Sequence, residues 1–208
     1  MATQKKSKVA SERDEGARAL WRWLVSRFDV RRLVFVDESG THISMDRLRS
    51  RAPRGERAYG QVPKNSGKNL TLMASMSLYG MGESMCIEGA TDAEAFELYV
   101  EHFLAPKLSE GQVVVLDKLG AHRPTRIREL IEARGAELVF LPSYSPDLNP
   151  IEEAFSKIKN ILRKLGARTH EALLALLEAM EEALCKVTLS DAAGWFDHCG
   201  YQVEVQYL

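Results

Sequence analysis

Two short apolar runs, each closed by an aspartate, stand out in the pattern of hydrophobic and polar positions along the chain. The first is Leu33–Val36 followed by Asp37, and the second is Val113–Leu116 followed by Asp117. Unbroken apolar runs of this length are typical of strands that are buried on both faces. The pattern therefore predicts two buried strands, each with an acid at its carboxyl end.

Further strands are indicated by shorter apolar segments between glycine-containing turns. The order of the segments predicts antiparallel hairpins in the first half of the chain and alternating strands and helices in the second half. Such an order favours an α/β fold with a mixed sheet and helices on its faces. The predicted strands are 33–37, a segment near 57–62, 69–78, 84–88, 112–116 and 137–141.

Apolar residues at helical spacing predict the helices. The first covers residues 12–28, with Ser11 as its N-cap and an apolar stripe that should face the core. The stripe consists of Ala17, Leu20, Trp21, Leu24, Val25 and Phe28. Later helices are predicted at about 92–105, 124–134, 150–165 and 170–186, and a closing helix and tail contain Trp195, Phe196, His198 and Tyr201.

Composition changes this picture little. A chain of 208 residues with 45% hydrophobic residues can bury a substantial core in one or two compact units. Its net charge of −1 provides no global attraction to nucleic acid, so polyanion binding must depend on local basic clusters.

Cysteine usage and the absence of long apolar runs indicate where the chain resides. Cys86, Cys185 and Cys199 are too widely spaced for a disulfide framework or a zinc site, which favours a reducing compartment. No apolar run approaches the roughly 20 residues of a membrane span, and the polar amino terminus lacks a signal-peptide core. We therefore expect a cytoplasmic protein with no membrane partner.

Three carboxylates are the candidate chemical groups. Asp37 and Asp117 lie at the carboxyl ends of apolar strands, where ligands gather in sheets of this kind. Glu152 opens a helix after the stretch Ser145–Ile151. Acids crowded together repel one another, so their convergence indicates a cation site, and two Mg²⁺ ions can clamp the oxygens of a phosphoryl displacement.

Structural roles for the same residues remain open. An aspartate after a buried strand is also a common turn residue. With Asn149 as N-cap and Pro150 at the first helical position, Glu152 falls where a glutamate completes a capping box. A capping role and a metal-binding role can coexist in one carboxylate.

Three motifs together resemble one known family. They are Val36-Asp37-Glu38-Ser39, then Val115-Leu116-Asp117 with His122 shortly after, and Ser145-Pro146-Asp147-Leu148-Asn149-Pro150-Ile151-Glu152. With 34 residues between Asp117 and Glu152, they resemble the mariner-superfamily DDE transposases over about residues 32–165. The segment 88–92 and the helix leading to Leu104-Ala105-Pro106 are similar to the bacterial insertion-sequence branch.

The resemblance implies a fold and an activity. The fold is a ribonuclease-H-like mixed sheet with helices on both faces, plus extra N- and C-terminal helices. Asp37, Asp117 and Glu152 are implied to be the catalytic residues and the ligands of two Mg²⁺ ions, with Mn²⁺ as a substitute. Water and then the freed 3′-hydroxyl act as nucleophiles, giving DNA strand cleavage and strand transfer.

The resemblance also suggests a domain organisation. We expect a flexible segment over residues 1–11, an N-terminal helix over 12–30, a DDE catalytic domain over 31–168, and C-terminal helices over 169–208 that pack on it. Full-length relatives carry a helix-turn-helix domain upstream, which one helix before Leu33 cannot supply. The chain is thus expected to be a catalytic half that forms a homodimer or joins an upstream helix-turn-helix subunit.

Double-stranded DNA, as transposon ends and target, is the implied partner. Basic residues crowd the segment after the first acid, and such residues bind phosphates without reading sequence, although a charged run is also ordinary solvated surface. The candidates are Arg47, Arg49, Arg51, Arg54, Arg57, Lys64 and Lys68, with Lys118 and His122 near the second acid; Lys157, Lys159, Arg163 and Lys164 form a weaker patch.

One departure from the family concerns Lys118, which follows Asp117 where the family commonly has asparagine, because a cation beside a metal site is unfavourable. Two other functions also stay open. The chain could be a catalytically inactive transposon remnant that retains DNA or partner binding. It could also be an interaction domain whose helices after residue 168 pair with another copy.

Overall fold

A computed structural model of the protein describes residues 11–41, 53–57, 69–117, 124–165 and 172–203. Its strands are β1 (Leu33–Thr41), β2 (Leu70–Ser77), β3 (Gly80–Glu88), β4 (Val113–Leu116) and β5 (Glu137–Phe140). Its α-helices are α1 (Glu15–Val25), α2 (Ala93–Tyr99), α3 (Pro124–Glu132), α4 (Pro150–Leu165), α5 (Ala172–Cys185) and α6 (Leu189–His198).

In the described part of the chain, five strands form one mixed sheet in the order β3-β2-β1-β4-β5. Strands β1, β2 and β3 are antiparallel neighbours, whereas β4 runs parallel to both β1 and β5. The predicted hairpins followed by strand and helix units are therefore confirmed. The central position of β1 places Asp37 between an antiparallel and a parallel neighbour.

Two apolar layers cover the two faces of this sheet. On one face, Phe35 of β1 packs in a cluster that includes residues of α1, α4, α5 and α6. On the other face, Val34 and Val36 join a cluster with α2 and α3. The alternation follows from the period of two along a strand, and it confirms the prediction of helices on both faces.

The first helix differs from its prediction in its start and its buried face. Helix α1 begins at Glu15, because Asp14 is the N-cap and its Oδ1 accepts a hydrogen bond from the Ala17 N–H at 2.9 Å. The Ser11 hydroxyl donates instead to the Glu12 carboxylate, so the prediction of Ser11 as the cap was wrong. The buried face also differs, since Leu20 is 63% exposed whereas Arg18 is fully buried.

Other boundaries differ from the predictions by a few residues. Helix α2 ends at Tyr99, and the chain continues through a wider π-helical turn, Val100–Leu104, and a 3₁₀ turn, Ala105–Lys107. Strand β3 begins at Gly80, four residues before the predicted start. The strand predicted near 57–62 lies almost wholly outside the described residues. Within the described ranges, no helix has the length and apolar character needed to cross a membrane.

Candidate metal centre

Asp37 and Asp117 stand at the same level of two neighbouring strands. Strands β1 and β4 pair in parallel as far as Phe35 and Val115. The two aspartates each come two residues further along, with Asp117 directly after the last residue of β4. Since paired strands are about 4.8 Å apart, this register places the two carboxylates side by side at one edge of the sheet.

Strand alternation places both aspartates on the face that α4 covers. Phe35 and Val115 lie in the apolar cluster that contains Ile151 of α4, and residues two positions further along a strand point to the same face. By the same alternation Glu38 points to the opposite face, as the sequence predicted. Asp37 is buried and Asp117 is half-buried.

Glu152 in the first turn of α4 completes the acidic group. Its negative charge and that of Asp117 both act on Asp37, and Asp117 acts on Glu152 in turn. The helix itself packs against β1. The three carboxylates that the sequence analysis singled out are therefore close enough for their charges to affect one another's pKa.

Burial makes Asp37 an unusual acid. Its pKa is raised to about 8, mainly by burial and in smaller part by the negative charges of Glu152, Asp117 and Glu38. A hydrogen bond from the Glu38 N–H to Asp37 Oδ1, at 2.8 Å, acts in the opposite direction. Glu152 as a whole residue is exposed, but partial desolvation of its carboxyl group is the main cause that raises its pKa; Lys159 lowers the pKa and Asp117 raises it.

Asn149 contacts Asp37 directly. Its Nδ2 donates a hydrogen bond to Asp37 Oδ2 at 2.8 Å in the buried interior. Its Oδ1 is buried and has no hydrogen-bond partner, so the side chain does not cap α4. The predicted hydrogen bond from the Glu152 N–H to the Asn149 side chain was therefore wrong. The Glu152 N–H donates instead to the main-chain carbonyl of Asn149, at 3.2 Å.

Asp147, the remaining acid of the same stretch, faces away from the acidic group. Its carboxylate accepts hydrogen bonds from Arg18 at 2.7 and 3.1 Å and from Arg13 at 3.2 Å. Burial alone would raise the pKa of Asp147, but the hydrogen bonds and charges of the two arginines hold it below its ordinary value. Asp147 is thus the acid of an ion pair.

The three carboxylates fit a hard divalent cation in ligand type, because Mg²⁺ and Mn²⁺ take carboxylate oxygens. Among the residues that the structure describes, no three His, Cys, Asp or Glu side chains are grouped around one point as ligands of a single ion. A two-ion arrangement does not need one ion to touch all three acids. The three carboxylates would therefore supply oxygen ligands to such a pair of ions.

The predicted DNA contacts are only partly described. Arg54 and Arg57 are exposed, and the Glu56 N–H closes a turn onto Pro53 in the same segment. In the weaker patch, Lys157 is bound to Asp191 at 2.5 Å and is not a free phosphate ligand. The other candidates lie outside the described residues: Arg47, Arg49, Arg51, Lys64, Lys68, Lys118 and His122.

The sheet order and the acidic group define a ribonuclease-H-like domain, and comparison with solved structures confirms that fold. The mariner Mos1 paired-end complex with Mg has a TM-score of 0.72 and 18% identity, covering 96% of this chain and 65% of that chain. The Mos1 strand transfer complex has a TM-score of 0.71 and 17% identity, covering 96% and 62%. The catalytic domain of Mos1 alone has a TM-score of 0.56 and 15% identity, covering 97% and 100%.

Sequence comparison then gives the family. Residues 32–174 match the family described as DDE superfamily endonuclease, and the chain belongs to that family. The Tcb1 transposase of a transposable element in Caenorhabditis briggsae is 28% identical over 120 residues. That match covers 56% of this chain and 44% of the relative, so the chain spans less than half the length of this relative.

Proposed function

We propose that the chain is a transposase catalytic domain that performs metal-dependent DNA strand cleavage and strand transfer. The observation that carries the proposal is the parallel register of β1 and β4, which brings Asp37 and Asp117 to one edge of the sheet, together with the charge interactions among these two acids and Glu152 of α4. Membership of the DDE endonuclease family and the Mos1-like fold support it. The affiliation with the bacterial insertion-sequence branch is part of the proposal and depends on the sequence motifs.

Asp37, Asp117 and Glu152 are the proposed ligands of two Mg²⁺ ions, with Mn²⁺ as a substitute. Related Mos1 structures are paired-end complexes with Mg and with Mn. When bound, such ions lower the pKa of a water nucleophile and neutralise charge that develops on the phosphate oxygens. The same centre would activate the freed 3′-hydroxyl for strand transfer.

The surrounding residues prepare the proposed ligands. Asn149 Nδ2 and the Glu38 N–H hold one oxygen each of the Asp37 carboxylate, which fixes its rotation. Burial of Asp37 excludes water from that side and strengthens its interaction with a cation. Lys159 on α4 favours the ionised form of Glu152.

The proposed substrate is double-stranded DNA, as transposon ends and as target. Arg54 and Arg57 are exposed and suited to phosphate contacts, and the other basic candidates in segment 42–68 would extend that surface. The Mos1 structures are named as a paired-end complex with a left transposon end and as a strand transfer complex. We propose that this chain acts as a homodimer or with a subunit that supplies a helix-turn-helix domain.

A nicking assay tests the proposal. Supercoiled plasmid carrying the DNA that flanks the gene is incubated with the chain and Mn²⁺, with Mg²⁺, or with a chelator. We expect nicked and linear products with either ion and none with the chelator. A chain that binds Mn²⁺ in calorimetry but never nicks DNA supports the alternative, an inactive remnant, for which Lys118 beside Asp117 gives a reason in the sequence.

A further inference from the structure

The stretch that leads into α4 is held at three consecutive residues by distant parts of the chain. Asp147 binds Arg18 of α1, and the Leu148 carbonyl accepts a hydrogen bond from the Tyr201 hydroxyl at 2.6 Å. Asn149 is the third, through its bond to Asp37. We call these three contacts tethers. Because α4 begins at Pro150, the next residue, the tethers determine the position of the first helical turn, which contains Glu152.

The ion pair between Arg18 and Asp147 is the strongest of these tethers. Both guanidinium NH₂ groups of Arg18 donate to the two oxygens of Asp147, at 3.1 and 2.7 Å. The planar fork of arginine matches a carboxylate in this two-point geometry, which lysine cannot reproduce. Since Arg18 is fully buried, moving the stretch away from α1 would leave its charge with only Glu15, 3.4 Å from the Arg18 Nε, and without either of its hydrogen bonds to Asp147.

A second tether acts one turn further along α1. Trp21 Nε1 donates to the Tyr201 hydroxyl at 3.1 Å, and that hydroxyl donates to the Leu148 carbonyl. The Tyr201 ring packs edge-on against Phe35, with ring centroids 5.2 Å apart. Phe35 lies two residues before Asp37, so the same tyrosine contacts both β1 and the stretch before α4.

Arg18, Trp21 and Tyr201 all lie outside residues 32–174, which match the endonuclease family. We propose that Arg18 and Tyr201 are positioning residues for the metal centre: through Asp147 and Leu148 they hold Asn149 against Asp37 and fix the first turn of α4. The inference rests on the proposed function, because it concerns the same three acids. If Arg18 and Tyr201 have this role, α1 and the segment after α6 both support the metal centre.

The tethers matter because a metal site tolerates only small displacements of its ligands. Catalytic groups must stay within about 0.5 Å of their working positions, which requires neighbours that lock their rotamers. The Pro146–Leu148 segment is a single 3₁₀ turn, so a displacement at Asp147 is transmitted to Asn149 two residues later. Loosening either tether should thus weaken metal binding before it unfolds the domain.

The test uses two variants that leave the net charge unchanged. Arg18→Lys keeps the positive charge but loses the two-point geometry, and Tyr201→Phe keeps the ring but loses both hydrogen bonds. Mn²⁺ affinity is measured by calorimetry on the folded protein, with thermal unfolding recorded for each variant. We expect Arg18→Lys to weaken Mn²⁺ binding by about tenfold, the lower end of the range for residues behind metal ligands.

The control is Asp191→Asn, which breaks the ion pair with Lys157 on the same helix α4. We expect it to lower the unfolding temperature while leaving Mn²⁺ affinity within about twofold, after correction for the lost charge at the ionic strength used. The double variant Arg18→Lys with Asn149→Ala should lose less Mn²⁺ affinity than the sum of the two single losses in free energy, since part of the effect of Arg18 passes through Asn149.

Each outcome decides the question. If Arg18→Lys and Tyr201→Phe lose stability but bind Mn²⁺ like the wild type, the tethers are purely structural and the inference is overturned. If Arg18→Lys does not fold, Tyr201→Phe decides alone. A wild-type chain that binds Mn²⁺ but never nicks DNA overturns the proposed function only, whereas one that binds no Mn²⁺ overturns both.

Discussion

Asn149 donates a hydrogen bond to Asp37 at 2.8 Å, across 112 positions of sequence. The bond joins the residue before α4 to the buried acid of the central strand, so the carboxylates of β1 and of α4 are positioned by one contact. Asn149 Nδ2 donates and Asp37 Oδ2 accepts, so the contact fixes the orientation of the carboxyl group that would bind a cation.

Replacing Asn149 with alanine should weaken both folding and metal binding. The variant leaves a buried carboxyl oxygen of Asp37 without its hydrogen-bond partner, which costs about 1 to 3 kcal/mol of unfolding free energy, and urea titration measures this loss. We expect cleavage to fall by about tenfold to a hundredfold at limiting Mn²⁺. Asn149→Asp should be worse than Asn149→Ala at neutral pH, since it places another acid against Asp37; equal activity of the two variants would contradict this account.

Each of the three acids should be required for cleavage. Asp37→Ala, Asp117→Ala and Glu152→Ala each remove a proposed ligand, so plasmid nicking should fall by more than about a hundredfold, beyond the effect of indirect partners. Circular dichroism should show that each variant remains folded. The control is Glu153→Gln, whose carboxylate contacts His198 at 2.9 Å and should be dispensable. Nicking by any one of the alanine variants at the wild-type rate would remove that residue from the site.

The acidic group could be predicted from the sequence because local patterns determine it. Asp37 and Asp117 each close an apolar run, and the parallel pairing of two such strands brings their ends together. The positions of Arg18 and Asn149 could not be predicted in this way. Helical periodicity favoured Leu20 for the core. Arg18 is buried there instead because it pairs with Asp147, and a partner 129 positions away cannot be inferred from local periodicity. Asn149 was predicted to be a helix cap because that is its local role when no distant acceptor competes.

DNA binding by the isolated chain should be weak, salt-dependent and indifferent to sequence. Phosphate contacts release counterions, so each one contributes about 0.9 to the slope of log affinity against log salt. The double variant Arg54→Gln with Arg57→Gln should reduce that slope by about 1 to 2, measured by fluorescence anisotropy in a KCl series. Arg134→Gln, a change at an exposed arginine beyond α3, is the control and should leave the slope unchanged. Tight binding to one short duplex would refute the prediction.

The junction between α4 and α6 should lose stability in acid. Hydrogen bonds from Lys157 and Thr188 lower the pKa of Asp191 to about 2, and Thr188 and Asp191 form the capping box of α6. A lowered pKa means that the ionised acid stabilises the fold above its unfolded pKa, near 3.8, and that this contribution disappears as the pH falls towards about 2.

Asp191→Asn should therefore be less stable than the wild type at pH 7, by about 0.5 to 2 kcal/mol for a weakened cap. The difference should shrink as the pH falls below about 4. Urea unfolding at a series of pH values measures both quantities. A gap between the two proteins that stays constant down to pH 2 would mean that the ionised carboxylate is not what stabilises the helix.

Lys118 gives the last prediction, which follows from the sequence alone. Its positive charge is one residue from Asp117, a proposed ligand, and a cation at that distance competes with a divalent ion for the same carboxylate. Lys118→Asn removes the competing charge, so half-maximal nicking should need less Mg²⁺, and the rate at limiting Mg²⁺ should rise. A Mg²⁺ titration of both proteins at fixed ionic strength measures the shift. If the variant instead nicks more slowly at saturating Mg²⁺, the lysine contributes to holding DNA, and the asparagine common in the family is not an improvement for this chain.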